Sequence, residues 1–550
     1  MYIRTSSRTN KDGSKVTYVQ LAHNYWDKQA GCSKTKIIHS FGREDELDRE
    51  ALERLVVSIR RYLNPDQPLF KEKETDDCSF LGVKDYGGTY VLEQLWQRLG
   101  LDTIIKRLLK DRSYEKDVER LLFTMVANRA LDPSSKLAIE EWAKEDVYIP
   151  EAEDISVHNL YRTMDFLLEH KEELEKEVYI SIAHLLNLEV DLLFFDTTST
   201  YFEVQPPEAP EEDEFRMLGY SKDKRPDLLQ MVIGLAVTRD GIPIKSWVWP
   251  GNTPDMSVIK EVKDDLTGWK LGRIISVVDA GFSSEDNLRY LQRAGGHYIA
   301  AEKLRSDKSE VKEALSKRGR FKEFGNLKLK EITVNEGEAR KRYVLAQNPK
   351  EAERQKIQRE EIIKETQKRL KEIKQLPNKE HTKAICELRS HAVYGKYLRQ
   401  LKDGRLKLDK TKIREEAKYD GKFLIRTSDD SLSAEDVVHG YKQLVQIESS
   451  FRSIKHTLKI RPVYHRLEDR IRSHVLLVWL ALLLVRISEN NTEMSWNKIR
   501  RELSRIKVGD FIFNSGRVFQ TSQITKKQSE ILSGLKIEHP PRYPKIESKP

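Results

Sequence analysis

The sequence predicts an α+β or α/β protein whose centre is a mixed sheet flanked by helices, and three observations carry that reading. First, two apolar runs, Leu192-Leu193-Phe194-Phe195 and Ile274-Ile275-Ser276-Val277-Val278, each run straight into an aspartate, Asp196 and Asp279. A short apolar run that ends on a carboxylate reads as a buried strand delivering an acid to the edge of a sheet. Second, further strand-like segments at 198–203, 229–238, 242–249 and 298–303 are interleaved with helical stretches at 254–266 and 284–294. Strands that first meander and then alternate with helices make a mixed sheet with helices on its faces. Third, the sheet region is preceded by segments of different period, a short β pattern and then helix after helix.

Residues 1–65 predict a small N-terminal sheet plus a helix. Val16-Thr17-Tyr18-Val19-Gln20-Leu21 follows the turn signal Asn10-Lys11-Asp12-Gly13, Lys36-Ile37-Ile38-His39 follows Gly31, and 44–62 has a helical period. Residues 66–187 read as a helical, DNA-binding region, with Val91, Leu92, Leu95 and Leu99 as one stripe and Ser156 as the N-cap of a long helix running to 184. A scaffold of packed helices fits the same pattern, because no specific helix-turn-helix signature occurs. The catalytic core is expected in two parts, 188–303 and 421–490. Between them, 304–420 reads as an insertion domain with a long, highly charged helix from 349 to about 375. Residues 491–550 read as a basic tail, helical and then extended beyond Pro540.

Composition removes several function classes. With 97 Lys+Arg against 88 Asp+Glu the chain carries a net charge of +9, compatible with a polyanionic partner. Cys32, Cys78 and Cys386 have no CxxC spacing, which argues against a disulfide scaffold or zinc finger and fits a reducing cytoplasm. Met1-Tyr2-Ile3-Arg4-Thr5 has no apolar signal region, and the most hydrophobic segment, 475–485, is too short to span a bilayer and reads as a buried core helix. No GxxxxGK[ST] segment occurs, so no nucleotide cofactor is expected.

A third acid completes the chemistry. Leu444, Ile447, Phe451, Ile454 and Leu458 recur at spacings of three and four and form one apolar stripe. On an α-helix Tyr441, Glu448 and Lys455, seven apart, each fall within about 20° of the last, and Arg452 lies on the same flank. The ordinary alternative is an i,i+4 Glu448–Arg452 surface pair. Asp196 and Asp279 have ordinary alternatives too, as turn or strand-end residues. Taken together, two strand-end aspartates and a helical glutamate can hold a pair of divalent metals, which catalyse in-line displacement at phosphate. Hard oxygen ligands suit Mg²⁺ or Mn²⁺. Trp247 and Trp249 alternate with Val248 and face one side of a strand. They suit either core packing or stacking on an extruded base.

These residues resemble a known family. Tyr441, Glu448 and Lys455 match the Tyr-x2-Arg-x3-Glu-x6-Lys signature of the bacterial insertion-sequence DDE transposases of the cut-and-paste superfamily, with Leu444 at the arginine position. Asp196-Thr197-Thr198 resembles the family's first-acid motif and Val278-Asp279-Ala280-Gly281-Phe282 its second. Gly251-Asn252-Thr253-Pro254-Asp255 and the stretch from Gly219 to Asp227 are similar to other family segments. The resemblance implies a ribonuclease-H-like core, interrupted between the second and third acids. It implies Asp196, Asp279 and Glu448 as catalytic metal ligands for two Mg²⁺ or Mn²⁺ ions, and Tyr441, Arg452 and Lys455 as phosphate contacts. It further implies double-stranded DNA as partner (terminal inverted repeats and target), a homodimer in a synaptic complex, and a cytoplasmic, nucleoid-associated setting without membrane. Rivals on the same residues are a metal-dependent nuclease of that fold, a catalytically inactive DNA-binding derivative, and a glycosidase with paired carboxylates.

Overall fold

The computed structural model describes residues 1–11, 13–63, 78–110, 117–152, 155–186, 192–203, 215–269, 274–305, 308–336, 340–513 and 516–548. The chain forms two compact units, 1–78 and 79–550.

In the first unit, strands Tyr2–Thr9, Lys15–Asp27 and Cys32–Arg43 pair antiparallel in sequence order. Their two hairpins turn at Gly13 (φ 83°) and Gly31 (φ 57°), left-handed conformations that favour glycine. The following helix spans Arg49–Leu63 rather than starting at 44, because Glu44–Glu46 winds as a 3-10 turn and the Asp48 carboxylate takes the Ala51 N–H.

The second unit is built on a nine-stranded sheet. Five strands form its core, in the spatial order Pro243–Pro250, Gln230–Val237, Leu192–Tyr201, Ile275–Val278, His297–Glu302. By position in the chain that order is third, second, first, fourth, fifth. The first, third, fourth and fifth strands run in one direction and the second runs against them, the ribonuclease-H-like arrangement. The first strand is continuous where the sequence reading broke it at 196–198. Its polar half, Thr197 to Thr200, stays paired with Gln230–Val237, and threonine suits the pleated backbone.

Beyond His297–Glu302 the sheet continues through Lys422–Thr427, Lys341–Gln347, Leu327–Val334 and Lys322–Phe324. The interruption between second and third acids therefore begins by widening the catalytic sheet. It leaves the sheet at Asn348, whose side chain caps the charged helix Pro349–Ile373. Arg359, paired with Asp420, and Arg369, over the Tyr394 ring at 4.3 Å, hold that helix to the rest of the excursion.

Side chains alternate between the two faces of the core strands. Leu193, Phe195, Trp247, Trp249 and Val278 pack under helices Ile259–Thr267 and Glu285–Gln292. Leu192, Phe194, Ile233, Leu235 and Val277 pack on the other face, in one core with Ala434–Lys442, Val445–Arg452, Glu468–Thr492 and the helices Val118–Leu131 and Val157–Glu169. Asp196 follows Leu192 and Phe194 in period two, so it projects to this second face. Among the described residues, Glu468–Thr492 is the one helix long and apolar enough to cross a membrane, but 94% of its apolar window is buried in the protein. A helix apolar on all sides suits such a central position.

Two expectations are corrected. Ser156 caps only Val157–Glu169; the chain leaves helical geometry at His170 (φ −101°, ψ 16°) and restarts as Lys171–Leu186. The tail has helices, Trp496–Leu503 and Lys526–Gly534, but it also contains strands and is paired into a sheet. Its strands Lys507–Phe513, Gly516–Thr521 and Lys545–Ser548 join Ser79–Asp85 in a four-stranded antiparallel sheet. That pairing links positions more than 400 residues apart in sequence, beyond the reach of local pattern.

Candidate active site

Strand register builds the site. In the parallel pair between the first and fourth strands, Phe195 lies opposite Val278. The next residues along, Asp196 and Asp279, therefore emerge side by side where the fourth strand ends, the edge at which open α/β sheets place their ligands. Asp279 makes no side-chain cap to the 3-10 turn Ala280–Phe282 that follows it, and Asp196 sits within a strand, so neither is a simple turn residue.

Asp196 is the constrained member of the pair. Its Oδ1 accepts the Thr197 N–H at 2.7 Å. Burial pushes its carboxyl up to about 6; the charges of Asp279 and Asp255 push the same way, while Lys222 and the Thr197 N–H oppose them. The Lys222 ammonium stands 4.0 Å from Asp196 and 3.1 Å from Asp255. It also donates to the Thr197 carbonyl at 2.7 Å and to Thr197 Oγ1 at 2.8 Å, and that hydroxyl donates to Asp255. One lysine thus serves a site rich in carboxylates.

The third acid arrives from the helical segments on this face. Ser433 opens Ala434–Lys442 with a capping box to Asp436. The Tyr441 hydroxyl donates to Asp279 Oδ1 at 3.3 Å. Burial raises the Tyr441 phenol, and the charges of Asp279, Glu448 and Asp196 add to it, so all three acids act on this one hydroxyl. Glu448 is exposed and, among the described residues, makes no ion pair or hydrogen bond through its carboxylate; the surface pair with Arg452 is not formed.

The heptad arithmetic needs correction. Helix Ala434–Lys442 ends before Gln443, where Gln446 and Ile447 donate three residues back, to Gln443 and Leu444. Helix Val445–Arg452 then widens into a π turn, Ser453–Thr457, closed by Leu458 N–H to Ser453. Tightening and widening rotate the flank, so Lys455 does not join Tyr441 and Glu448. Its ammonium binds Asp223 at 2.7 Å, with Arg461 3.5 Å from the same carboxylate. Arg452 is exposed with no ion pair among the described residues. Leu444, Ile447, Phe451, Ile454 and Leu458 are all buried, as the stripe requires, and Leu444 offers no phosphate contact.

Trp247 and Trp249 lie on the opposite face of the sheet. Their rings are parallel within 2° at 6.3 Å, only 3% and 7% of each residue is exposed, and their indole N–H groups bind Asp265 and Glu261. Gly234 makes room for them, since a Cβ there would fall 2.5 Å from the Trp249 ring. They are core residues with no face open to a base.

Sequence reasoning missed Lys222, Asp223 and Asp255. All three fall in segments noted for their resemblance, 219–227 and 251–255, but local pattern gave them no role. Among the described residues no three His, Cys, Asp or Glu side chains are grouped closely enough to hold a metal ion as they stand. The donor chemistry nonetheless fits a hard divalent cation: carboxylates of Asp196, Asp279 and Glu448 with no thiolate or imidazole among them, one of them, Asp196, raised by burial to about 6.

Comparison with known proteins shows the family. Residues 192–484, more than half of the chain, match the transposase DDE domain, and residues 3–69 match the N-terminal domain of IS1634 family transposases. The chain belongs to the insertion-sequence DDE transposases. It is thus a DNA-acting enzyme of the strand-cleaving and strand-transferring class. No curated protein matches it. Among solved structures, a piggyBac transposase synaptic complex with hairpin DNA is similar at 12% identity and a TM-score of 0.33, over 76% of this chain and 77% of that one.

Proposed function

We propose that this transposase binds the terminal inverted repeats of its insertion sequence and performs cut-and-paste transposition, with Asp196, Asp279 and Glu448 holding two Mg²⁺ or Mn²⁺ ions. The observation that carries the reading is the side-by-side emergence of Asp196 and Asp279, with Tyr441 sensing both and Glu448. The chemistry such ions supply is activation of the attacking oxygen and stabilisation of the leaving oxygen at phosphorus.

The chain's own residues do the rest. The Thr197 N–H fixes the Asp196 carboxylate, and the Tyr441 hydroxyl restrains Asp279. Lys222 supplies a resident positive charge that limits repulsion among the acids before DNA arrives. The Lys455–Asp223 pair pins the segment on which Lys222 stands, so Lys455 acts on the site by position, while exposed Arg452 is available to a DNA phosphate. In the cleavage step water attacks a phosphodiester, the P–O3′ bond breaks, and a 3′-hydroxyl and a 5′-phosphate result. In the joining step that 3′-hydroxyl attacks a target phosphodiester and displaces its 3′ oxygen. Two element ends need two such sites, so the active assembly is a homodimer on DNA.

The test is incubation of the full chain with duplexes ending in the element's terminal repeats plus Mg²⁺. Cleaved and joined products are expected from the wild type. Asp196→Ala, Asp279→Ala and Glu448→Ala should each fall below about a thousandth of its rate, the loss of several kcal/mol of transition-state stabilisation. Variants that cut normally would remove the assignment. Cleavage with no joined product would identify a nuclease.

A further inference from the structure

Away from the acids, four basic side chains lie together, three of them buried. Arg129, on helix Val118–Leu131, is 5% exposed; Lys136, at the start of the short helix Lys136–Glu141, is 4% exposed; His474, on Glu468–Thr492, is 3% exposed. The half-buried His465 ring lies 5.5 Å from that of His474. Among the described residues none of the four pairs with a carboxylate, and Lys136 makes no hydrogen bond. Arg129 Nε and His474 Nδ1 are buried without a partner. The remaining nitrogens grip backbone: Arg129 donates to the carbonyls of Lys459 and Ser134 at 3.1 Å each, and His474 Nε2 lies 3.1 Å from the Ile460 carbonyl. The neighbouring Arg470 is already committed to Asp165 and the Tyr161 carbonyl.

Taking a cation out of water with no anion beside it is strongly unfavourable. Burial and mutual repulsion push Lys136 and His474 well down and His465 to about 4, which is the mark of that imbalance. A core that needed only packing would place apolar groups here. The cluster also has a direction. Arg129 and His474 hold the chain at 459–460, directly after the π turn that carries Lys455, and the outer rim presents exposed Lys459, Tyr464 and Arg466.

We propose that Arg129, Lys136, His465 and His474 form a phosphate-binding site that receives one backbone phosphate of DNA next to the segment carrying the third acid. The anion supplies the missing charge, and the unpartnered Arg129 Nε–H, the His474 imidazole and the Lys136 ammonium are its donors. The inference shares with the proposed function only the premise that DNA lies against this face, and it does not require the acids to hold metal.

The test uses the full chain in EDTA, so that binding is measured without cleavage. Lys136→Met should raise the melting temperature of DNA-free protein, because it removes an uncompensated buried cation. It should also weaken duplex binding about tenfold near 0.1 M salt and reduce the slope of log affinity against log salt by about one. Lys136→Arg should restore the slope. Sulfate should raise the melting temperature of the wild type and not of Lys136→Met. An unchanged slope and affinity in Lys136→Met would overturn the proposal. So would sulfate stabilisation with an unchanged DNA slope, which would mark a site for free oxyanions. A wild type that cleaves DNA while Lys136→Met binds normally sinks this inference alone; a wild type that binds but never cleaves sinks the function and leaves this site standing.

Discussion

The acid site and the basic cluster are opposite in sign and alike in construction. Around Asp196, the charges of Asp279 and Asp255 add like charge, Glu448 joins Asp196 and Asp279 around the Tyr441 hydroxyl, and among the described residues Lys222 is the ammonium paired with Asp196 and Asp255. Around Lys136, four basic groups face no carboxylate among the described residues. The first is partly open at the end of a strand and the second is largely buried in a helical core beneath an exposed rim. Both hold charge that folding alone would not gather. The difference in exposure sets how each is reached: a small cation enters the first by turning exposed Glu448 and Asp279, whereas an anion reaches the second from the side of its exposed rim, Lys459, Tyr464 and Arg466.

Experiments that separate the two sites follow, from the largest expected effect to the smallest. Mn²⁺ at about a hundred times its Kd should stabilise the wild type by about 2.7 kcal/mol. That gain should vanish in the double variant Asp196→Asn, Asp279→Asn and survive in Lys136→Met, as read by thermal melts. Lys222→Met removes the resident cation. It should tighten Mn²⁺ binding at least about tenfold by calorimetry, since a unit charge about 4 Å from a divalent ion costs about 2 kcal/mol even at the dielectric of water. Unchanged affinity would show that Lys222 does not compete for the site.

Acidity gives a third separation. The Asp196 carboxyl is raised from 3.8 to about 6, so its contribution to metal-free stability is present below pH 3.8 and is lost as pH rises through about 6. Mn²⁺ needs the ionised form, so its affinity should move the other way and fall as pH drops through 6. Asp196→Asn should flatten the stability profile over that window. The smallest effect concerns DNA contacts: Arg452→Ala should lower the salt slope of binding by about one, while Lys455→Ala, whose ammonium is tied to Asp223, should leave the slope nearly unchanged.

What the sequence made legible follows from how local each signal is. Asp196 and Asp279 stand at the ends of apolar runs, and the runs are the strands that place them. The stripe from Leu444 to Leu458 correctly put Glu448 beside a packed core. The flank arithmetic failed at Gln443 and again at Ser453, because i−3 and i−5 hydrogen bonds replaced the regular ladder and no residue type announces either. Lys222 and Asp255 acquire their roles only when two loops fold over the first strand. Lys136 reads as an ordinary first-turn residue until the helix carrying His474, more than 300 positions later, closes over it.

The central claim is that Asp196, Asp279 and Glu448 share divalent metal. Crystals of the full chain soaked in Mn²⁺ and measured at the manganese edge test it directly. The account predicts anomalous peaks among those three carboxylates, lost in Asp196→Asn. Peaks confined to other carboxylates, or no peak in a protein that still cleaves DNA, would contradict it.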